Sequence, residues 1–335
     1  MKMYLILLFL LLMLVHSTVW SQQEVNYNLY QYHLNLTNPA ATGTQGAPFL
    51  NMSLRSQWLG IQGAPETQAI SAGFPHANNR LGTGFSVIND LTFVENQTQF
   101  FLDFSYRLPL ADDRNLYLGL KAGGTSIRIE TNRLETYGTD LVDPFLQGTS
   151  GFVPNFGVGI YYTTPHYFLS VSIPRLLETE RFRLENEQVT HATDRLHLFA
   201  SSGFRIRLSE YWDFSPSLLF SYVDAAPTEL LVDASFSYDD RFDIGLQASR
   251  SGSMGGIMFI HISEGMKMGY AYITSATDKV NQFSSGTHEI VLKIKLNEGV
   301  GGDSRKASFT NELKTQPQAR EEKVGTKNKN NELFE

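Results

Sequence analysis

Phe100-Phe101-Leu102-Asp103-Phe104-Ser105-Tyr106-Arg107-Leu108 decides the fold class of this chain. Its even positions are all apolar or aromatic, whereas Asp103, Ser105 and Arg107 fall on the opposite parity. Successive side chains of a β-strand point to opposite faces, so one face of this segment suits lipid and the other suits water. The same parity governs Leu116 to Ala122 and Phe242 to Ala248, and it returns at the end of the ladder. There Ile290, Leu292, Ile294 and Leu296 take the outer face and Glu289, Val291, Lys293 and Lys295 the inner one. Working outward gives about fourteen such segments between residues 49 and 296, as a membrane barrel requires. They run over 49–57, 67–74, 81–89, 97–108, 115–128, 152–163, 166–173, 194–208, 211–222, 228–236, 242–250, 254–262, 266–273 and 287–296. A soluble sandwich also alternates in this way, so the flanking signals must separate the two.

Two signals favour the membrane. Lys2 followed by the apolar run Tyr4 to Val15 reads as a secretion signal, too short to span a bilayer as an anchor would, with cleavage after Ser21. The connections then alternate in length. Pro75 to Arg80, Pro109 to Arg114, Thr164-Pro165, Ser209-Glu210, Ser237 to Arg241 and Ser263 to Gly265 are short. Ile129 to Gly151, Pro174 to Thr193 and Thr274 to Gly286 are long, although Val223 to Pro227 and Ser251 to Ser253 are not. Short turns on one rim and long loops on the other describe an outer-membrane barrel. The expected fold is all-β: a transmembrane antiparallel up-and-down barrel of about fourteen strands. An even strand count puts both barrel ends on the periplasmic side. The organisation is then a signal peptide over 1–21, a periplasmic or lumenal segment over 22–48, the barrel over 49–296 and a disordered periplasmic tail over 297–335.

Composition excludes several classes. The 335 residues hold no Cys, which removes lipoprotein attachment, disulfides, thiolate nucleophiles and Cys-based metal sites. A net charge of −7 leaves no basic face for nucleic acid. No second apolar run is long enough for a helical membrane bundle, and 23 Phe with 15 Tyr suit a lipid-facing wall.

Three blocks of sequence resemble the PorP/SprF family. They are Asn35-Leu36-Thr37-Asn38-Pro39-Ala40-Ala41-Thr42-Gly43, then Arg55-Ser56-Gln57-Trp58-Leu59-Gly60-Ile61-Gln62-Gly63-Ala64-Pro65-Glu66-Thr67, and Ser284-Ser285-Gly286-Thr287-His288-Glu289-Ile290-Val291-Leu292. Asn79 to Gly84 and Asn89-Asp90 extend the resemblance over nearly the whole mature chain, while Tyr30-Gln31-Tyr32 departs from the family's Phe-Ser-Gln-Tyr. The resemblance implies a barrel in contact with outer-membrane lipid and with the type IX secretion and gliding components. It implies partners of two kinds: a secreted surface protein such as an adhesin, and a periplasmic peptidoglycan-binding protein. Asn38, Pro39, Ala40, Arg55, Gln57, Trp58, Gly63, Ala64, Pro65, Thr67, His288 and Glu289 are the motif residues offered for partner or plug contacts.

Physical reading adds local roles. Pro39 restricts Asn38 to extended or turn geometry, so Asn-Pro-Ala bends the chain where it enters the barrel. Gly60, Gly63 and Pro65 shape a tight loop that partly closes the barrel mouth, with Trp58 at the membrane interface or folded into the lumen. A search for chemistry yields no catalytic, cofactor or metal residues. His288 and Glu289 are strand neighbours on opposite faces, His261 and Ser263 share a face without a placed carboxylate, and Asp112-Asp113 and Asp239-Asp240 form turns. Asp103, Arg107, Lys121, Arg205, Arg207, Lys267, Lys293 and Lys295 point inward if the parity holds, which keeps a passive channel or small-molecule transporter as the rival function. An outer-membrane hydrolase is a more distant rival.

Overall fold

The computed structural model describes residues 28–76, 80–129, 150–180, 193–224, 226–275 and 283–296. The expected signal peptide over 1–21, the expected tail over 297–335 and much of the long connections lie outside the described residues. Fourteen antiparallel strands close on themselves. They are β1 Phe49–Ser56, β2 Glu66–His76, β3 Leu81–Thr92, β4 Glu95–Ala111, β5 Arg114–Ile129, β6 Ser150–Thr163 and β7 Tyr167–Ile173. The circuit continues with β8 His197–Phe204, β9 Trp212–Val223, β10 Glu229–Tyr238, β11 Phe242–Ser249, β12 Ser253–Ser263, β13 Met266–Ser275 and β14 Thr287–Lys295. Each strand pairs with its sequence neighbours, and β1 with β14 completes the ring. β8 is interrupted at Arg205 and resumes at Ile206–Arg207 in unbroken register with β9, where His197 faces Val223 and Arg207 faces Asp213. A separate two-residue ladder, Thr179–Glu180 with Thr193–Asp194, stands within the β7 to β8 connection.

The parity read from residues 100–108 holds in three dimensions. Leu102, Phe104 and Tyr106 are exposed on the outer wall while Phe101, Asp103 and Ser105 are buried inside. Leu118 and Leu120 outside, with Tyr117 and Lys121 inside, repeat the pattern on β5. Outward residues on β4 turn polar at Asn96 and Thr98, above the apolar run from Phe100 to Leu110. That change marks where the lipid belt ends. At the opposite rim Trp212 packs 4.9 Å from Tyr238, Tyr238 5.3 Å from Phe242, and Tyr162 5.6 Å from Tyr167. Such aromatic clusters sit at the level of lipid headgroups.

The short turns follow backbone chemistry. Asp239 and Asp240 both take positive φ, 46° and 49°, as the two central residues of a tight turn closed by the Arg241 N–H on the Tyr238 carbonyl at 2.8 Å. Asp113 does the same at φ 59° in the β4 to β5 turn. Among the described residues no helix is long and apolar enough to cross a membrane; the strands cross it.

Candidate functional site: an occupied lumen

Residues 28–47 thread the barrel interior. Two 3-10 turns, Tyr30–Tyr32 and Pro39–Ala41, flank one α-helical turn at Leu34–Thr37. These turns satisfy few backbone groups within the segment, so the wall must supply the rest. It does so from nearly every side.

Near the long-loop rim, Glu289 of β14 accepts hydrogen bonds from the backbone N–H of Asn28 (3.0 Å) and of Leu29 (3.3 Å). A row of inward residues in mutual register, Ser217 of β9, Asp233 of β10 and Gln247 of β11, takes the next stretch. The Gln247 amide donates to the Asn28 carbonyl at 2.6 Å, the Gln31 amide donates to Asp233 at 3.2 Å, and the Tyr30 hydroxyl meets Ser217 at 2.7 Å. The Tyr32 hydroxyl donates to Asp243 of β11 at 3.2 Å. Burial, reinforced by the Asp233 carboxylate, holds the Tyr30 phenol well above its ordinary range; burial with Asp243 does the same for Tyr32. Both therefore remain neutral.

Asn38-Pro39-Ala40 is the deepest anchor. The Asn38 side chain caps the following 3-10 turn by accepting from the Ala40 N–H at 2.8 Å, and its amide donates to the Ile160 carbonyl (3.0 Å) and Ser170 hydroxyl (2.8 Å). Opposite it, Gly119 of β5 and Gly159 of β6 are direct cross-strand partners. A Cβ on Gly119 would overlap the Ala40 backbone, and one on Gly159 would overlap the Asn38 side chain. The two glycines form the notch that seats the motif. On the same wall Lys121 pairs with Asp103 at 2.7 Å and reaches the Asn35 carbonyl at 3.5 Å, Ser172 donates to the Thr37 carbonyl at 2.9 Å, and Ser105 donates to the Thr42 carbonyl. Apolar contacts complete the fit: Leu36 packs with Ala69 and Ile88, Tyr30 with Leu219 and Leu231, and Leu29 with Ile257, Phe259 and Val291.

The structure thus divides the motif residues into two groups. Asn38, Pro39, Ala40, Arg55, Thr67 and Glu289 are buried in the barrel interior. Arg55 lies opposite both Glu289 and Thr67 in the strand registers, and its guanidinium donates to Gln57 at 3.0 Å. Thr67 donates to Asp90 at 2.7 Å. Trp58, Gly63, Ala64 and Pro65 belong to the β1 to β2 loop, where Trp58 is half-buried at φ 50°. That loop is bonded to the connections on either side of it. Leu59 exchanges backbone bonds with Gly286 (2.9 Å) and Ser285 (2.8 Å), and the Phe93 N–H donates to the Gly63 carbonyl at 3.0 Å. Within the barrel itself, the lumen is filled by residues 28–47. Asn-Pro-Ala is a turn as its chemistry demands, but it lies inside the lumen and not at the barrel entrance.

His288 bonds Tyr270 at 2.7 Å on the outer wall, on the face opposite Glu289. His261 lies 3.4 Å from Asp243, but a bulge between His261 and Ser263 breaks their shared register and Ser263 is exposed. The carboxylate that the sequence did not place beside His261 is therefore present, while the serine is displaced. Among the described residues no three His, Asp or Glu are grouped to hold a metal ion. Sequence reading missed Gly119, Gly159, Ser217, Asp233 and Gln247 as contacts of the lumenal segment. Their signal was a small or polar residue at inward parity in mid-strand.

Two expectations follow. Glu289→Ala strips the acceptor from two buried N–H groups, each worth about 1–3 kcal/mol when left unsatisfied. The variant should fold as a barrel but lose protection of the segment near Asn28, read as faster cleavage there by an added protease. The second concerns pH. Burial first, and the Lys293 ammonium second, pull the His33 imidazole down from 6.5 to about 3. A lowered histidine pKa means that the docked state binds fewer protons than the withdrawn one, so docking is complete above 6.5 and weakens as pH falls toward 3. Protease protection of residues 28–47 should fall across that window, and His33→Phe should flatten the dependence.

A closed antiparallel barrel with an outward apolar belt, aromatic clusters at its rim and a polar, occupied interior is an outer-membrane β-barrel. The chain belongs to the PorP/SprF family: the family described as "Type IX secretion system membrane protein PorP/SprF" matches residues 19–294. It is accordingly an outer-membrane barrel of the type IX secretion system, associated with that system's components. Solved structures similar to it include the Acinetobacter baumannii outer membrane protein Omp33, at 10% identity and TM-score 0.44 over 75% of this chain and 100% of that one. The Ralstonia pickettii toluene transporter TbuX is similar at 10% identity and TM-score 0.47, over 79% and 94% of the two chains. The P. putida toluene transporter TodX gives 6% identity and TM-score 0.46, over 78% and 93%. No curated protein matches the chain.

Proposed function

We propose that this barrel is a non-catalytic support of type IX secretion: it holds a secreted surface protein such as an adhesin and links the outer membrane to a periplasmic peptidoglycan-binding component. In this reading the short turns and both ends of the barrel face the periplasm, and the long loops face outward. The observation that carries it is the filled lumen. Residues 28–47 are bonded to eight strands through Glu289, Gln247, Asp243, Asp233, Ser217, Ser170, Ile160, Lys121 and Ser105. A path for free diffusion needs an open lumen, so an interior held this firmly favours a rigid docking body over a passive channel.

The test pairs two measurements on the intact chain. Planar bilayers should show no sizeable conductance, and crosslinked outer membranes should yield a secreted surface protein and a periplasmic component with the barrel. Steady open-pore conductance without such partners would replace the support role with the channel. Lipase or protease activity lost on His261→Ala would make the barrel an enzyme.

A further inference from the structure

The wall holds residues 28–47 unequally. On β4 to β7 the grip is polar, since Ser105, Ser170, Ser172 and the Ile160 carbonyl all bond the segment. Strands β9 to β11 hold it in the same way through Ser217, Asp233 and Gln247, and Glu289 of β14 takes its start. The wall formed by β1, β2 and β3 differs. Among the described residues its one hydrogen bond to the segment runs from the Asn51 amide to the Tyr32 carbonyl, at 3.4 Å. Its other contacts are apolar: Leu36 packs on Ala69 and Ile88, and the Thr42 methyl group lies against Gly84.

Polar side chains are nevertheless present on that wall. Asn51, Ser71 and Ser86 are consecutive cross-strand partners, so they form one inward row across β1, β2 and β3. Each is 1% exposed, and among the described residues the Asn51 Oδ1 and the hydroxyls of Ser71 and Ser86 have no hydrogen-bond partner. The segment shows the same deficit on its own side. The Thr42 hydroxyl and both ring nitrogens of His33 are buried and unpartnered. His33 directly follows the carbonyl that Asn51 reaches, and its ring feels the charge of Lys293, which stands opposite Asn51 in register. Six buried polar atoms on the two sides of one contact therefore stay unmatched. Each costs free energy that water returns when it arrives, whereas the bonded walls gain nothing from its arrival.

We infer that the contact between the lumenal segment and β1 to β3 is a seam that admits water, and that the lumen opens there first while the segment stays anchored to β4–β7 and β9–β11. Parting at the seam exchanges unmatched atoms for hydrated ones. Parting at the other walls breaks bonds such as Asn38 to Ser170 and Gln247 to Asn28, which water can only replace. Regions with few satisfied contacts open at lower free energy than the rest of a fold, so this face is the moving one. Leu36 on Ala69 and Ile88 supplies the apolar contact that holds the seam shut.

The chain has no Cys, so a single introduced thiol reports only its own position. Ser71→Cys and Ser86→Cys report the seam, and Ser172→Cys and Ser217→Cys report the bonded walls. Each wall variant loses a bond to the segment, which biases the comparison against the inference. Full-length barrels in detergent are treated with a small methanethiosulfonate reagent, and each labelling rate is divided by that of the same variant unfolded in urea. The seam thiols should react at least about tenfold faster than the wall thiols. Ser86→Ala deletes one unmatched hydroxyl, so it should slow labelling of Ser71→Cys by about fivefold, the factor that one unsatisfied group implies. A wall that leaks everywhere would not respond in that way. Gel mobility before and after heating confirms that each variant is a folded barrel, and the second seam position keeps the test available if the first does not fold. Seam thiols no faster than wall thiols, or a seam rate unchanged by Ser86→Ala, overturn the inference.

Discussion

Barrels lacking residues 28–45 should conduct ions in planar bilayers, where the intact chain should be silent. The expectation follows from what the wall does when its contents are removed. Fourteen strands enclose more space than their own inward side chains fill, and among the described residues it is residues 28–47 that occupy much of the remainder. Gly159→Val approaches the same end without deletion. Its side chain would occupy the position of the Asn38 carboxamide, so the notch that seats Asn38-Pro39-Ala40 closes and the anchor lifts. Intermittent openings, less frequent than in the deletion, are expected for that variant. A folded deletion barrel that stays silent would show that some other part of the chain blocks the lumen.

The second large effect concerns Asp103 and Lys121, whose side chains are 0% and 1% exposed. Removing one partner of such a pair leaves an uncompensated buried charge, a loss of about 3–5 kcal/mol, whereas replacing both with apolar residues of similar volume is often nearly neutral. Asp103→Leu alone should therefore lower the urea midpoint of the refolded barrel sharply, and Asp103→Leu with Lys121→Met should recover most of the loss. Because the Lys121 ammonium also reaches the Asn35 carbonyl, the double variant should still loosen the lumenal segment. Equal losses in the single and double variants would mean that the pair is not coupled.

Strand number, order and facing were legible from alternation alone, because lipid on one side and polar contents on the other impose a period of two on every strand. Ends were less legible where that contrast fades. β4 begins at Glu95, two residues before the alternating pattern, since Glu95 and Asn96 stay hydrogen-bonded to β3 and β5 beyond the apolar belt. β8 was read from 194 and is instead a strand from His197 interrupted at Arg205, a break that a local pattern of side chains does not record. The lumenal segment was the least legible. Its turns are three or four residues long, too short for any periodicity, and its apolar residues point in several directions because they are surrounded by wall. The motif resemblance marked Asn38 and Glu289 as belonging together only by family; their common task of holding one segment from two sides required coordinates. Asp233 and Gln247 looked like any polar lining of a lumen until Gln31 and Asn28 were seen against them.

The bond between Asn28 and Glu289 joins residues 261 positions apart. A contact of that span can form only when the first and last parts of the chain have met, and such distant closures are the slow steps of folding. The early segment and the final strand thus complete each other last: a barrel whose closing strand has slipped brings Glu289 to the wrong height, and the N–H groups of Asn28 and Leu29 lose their acceptor.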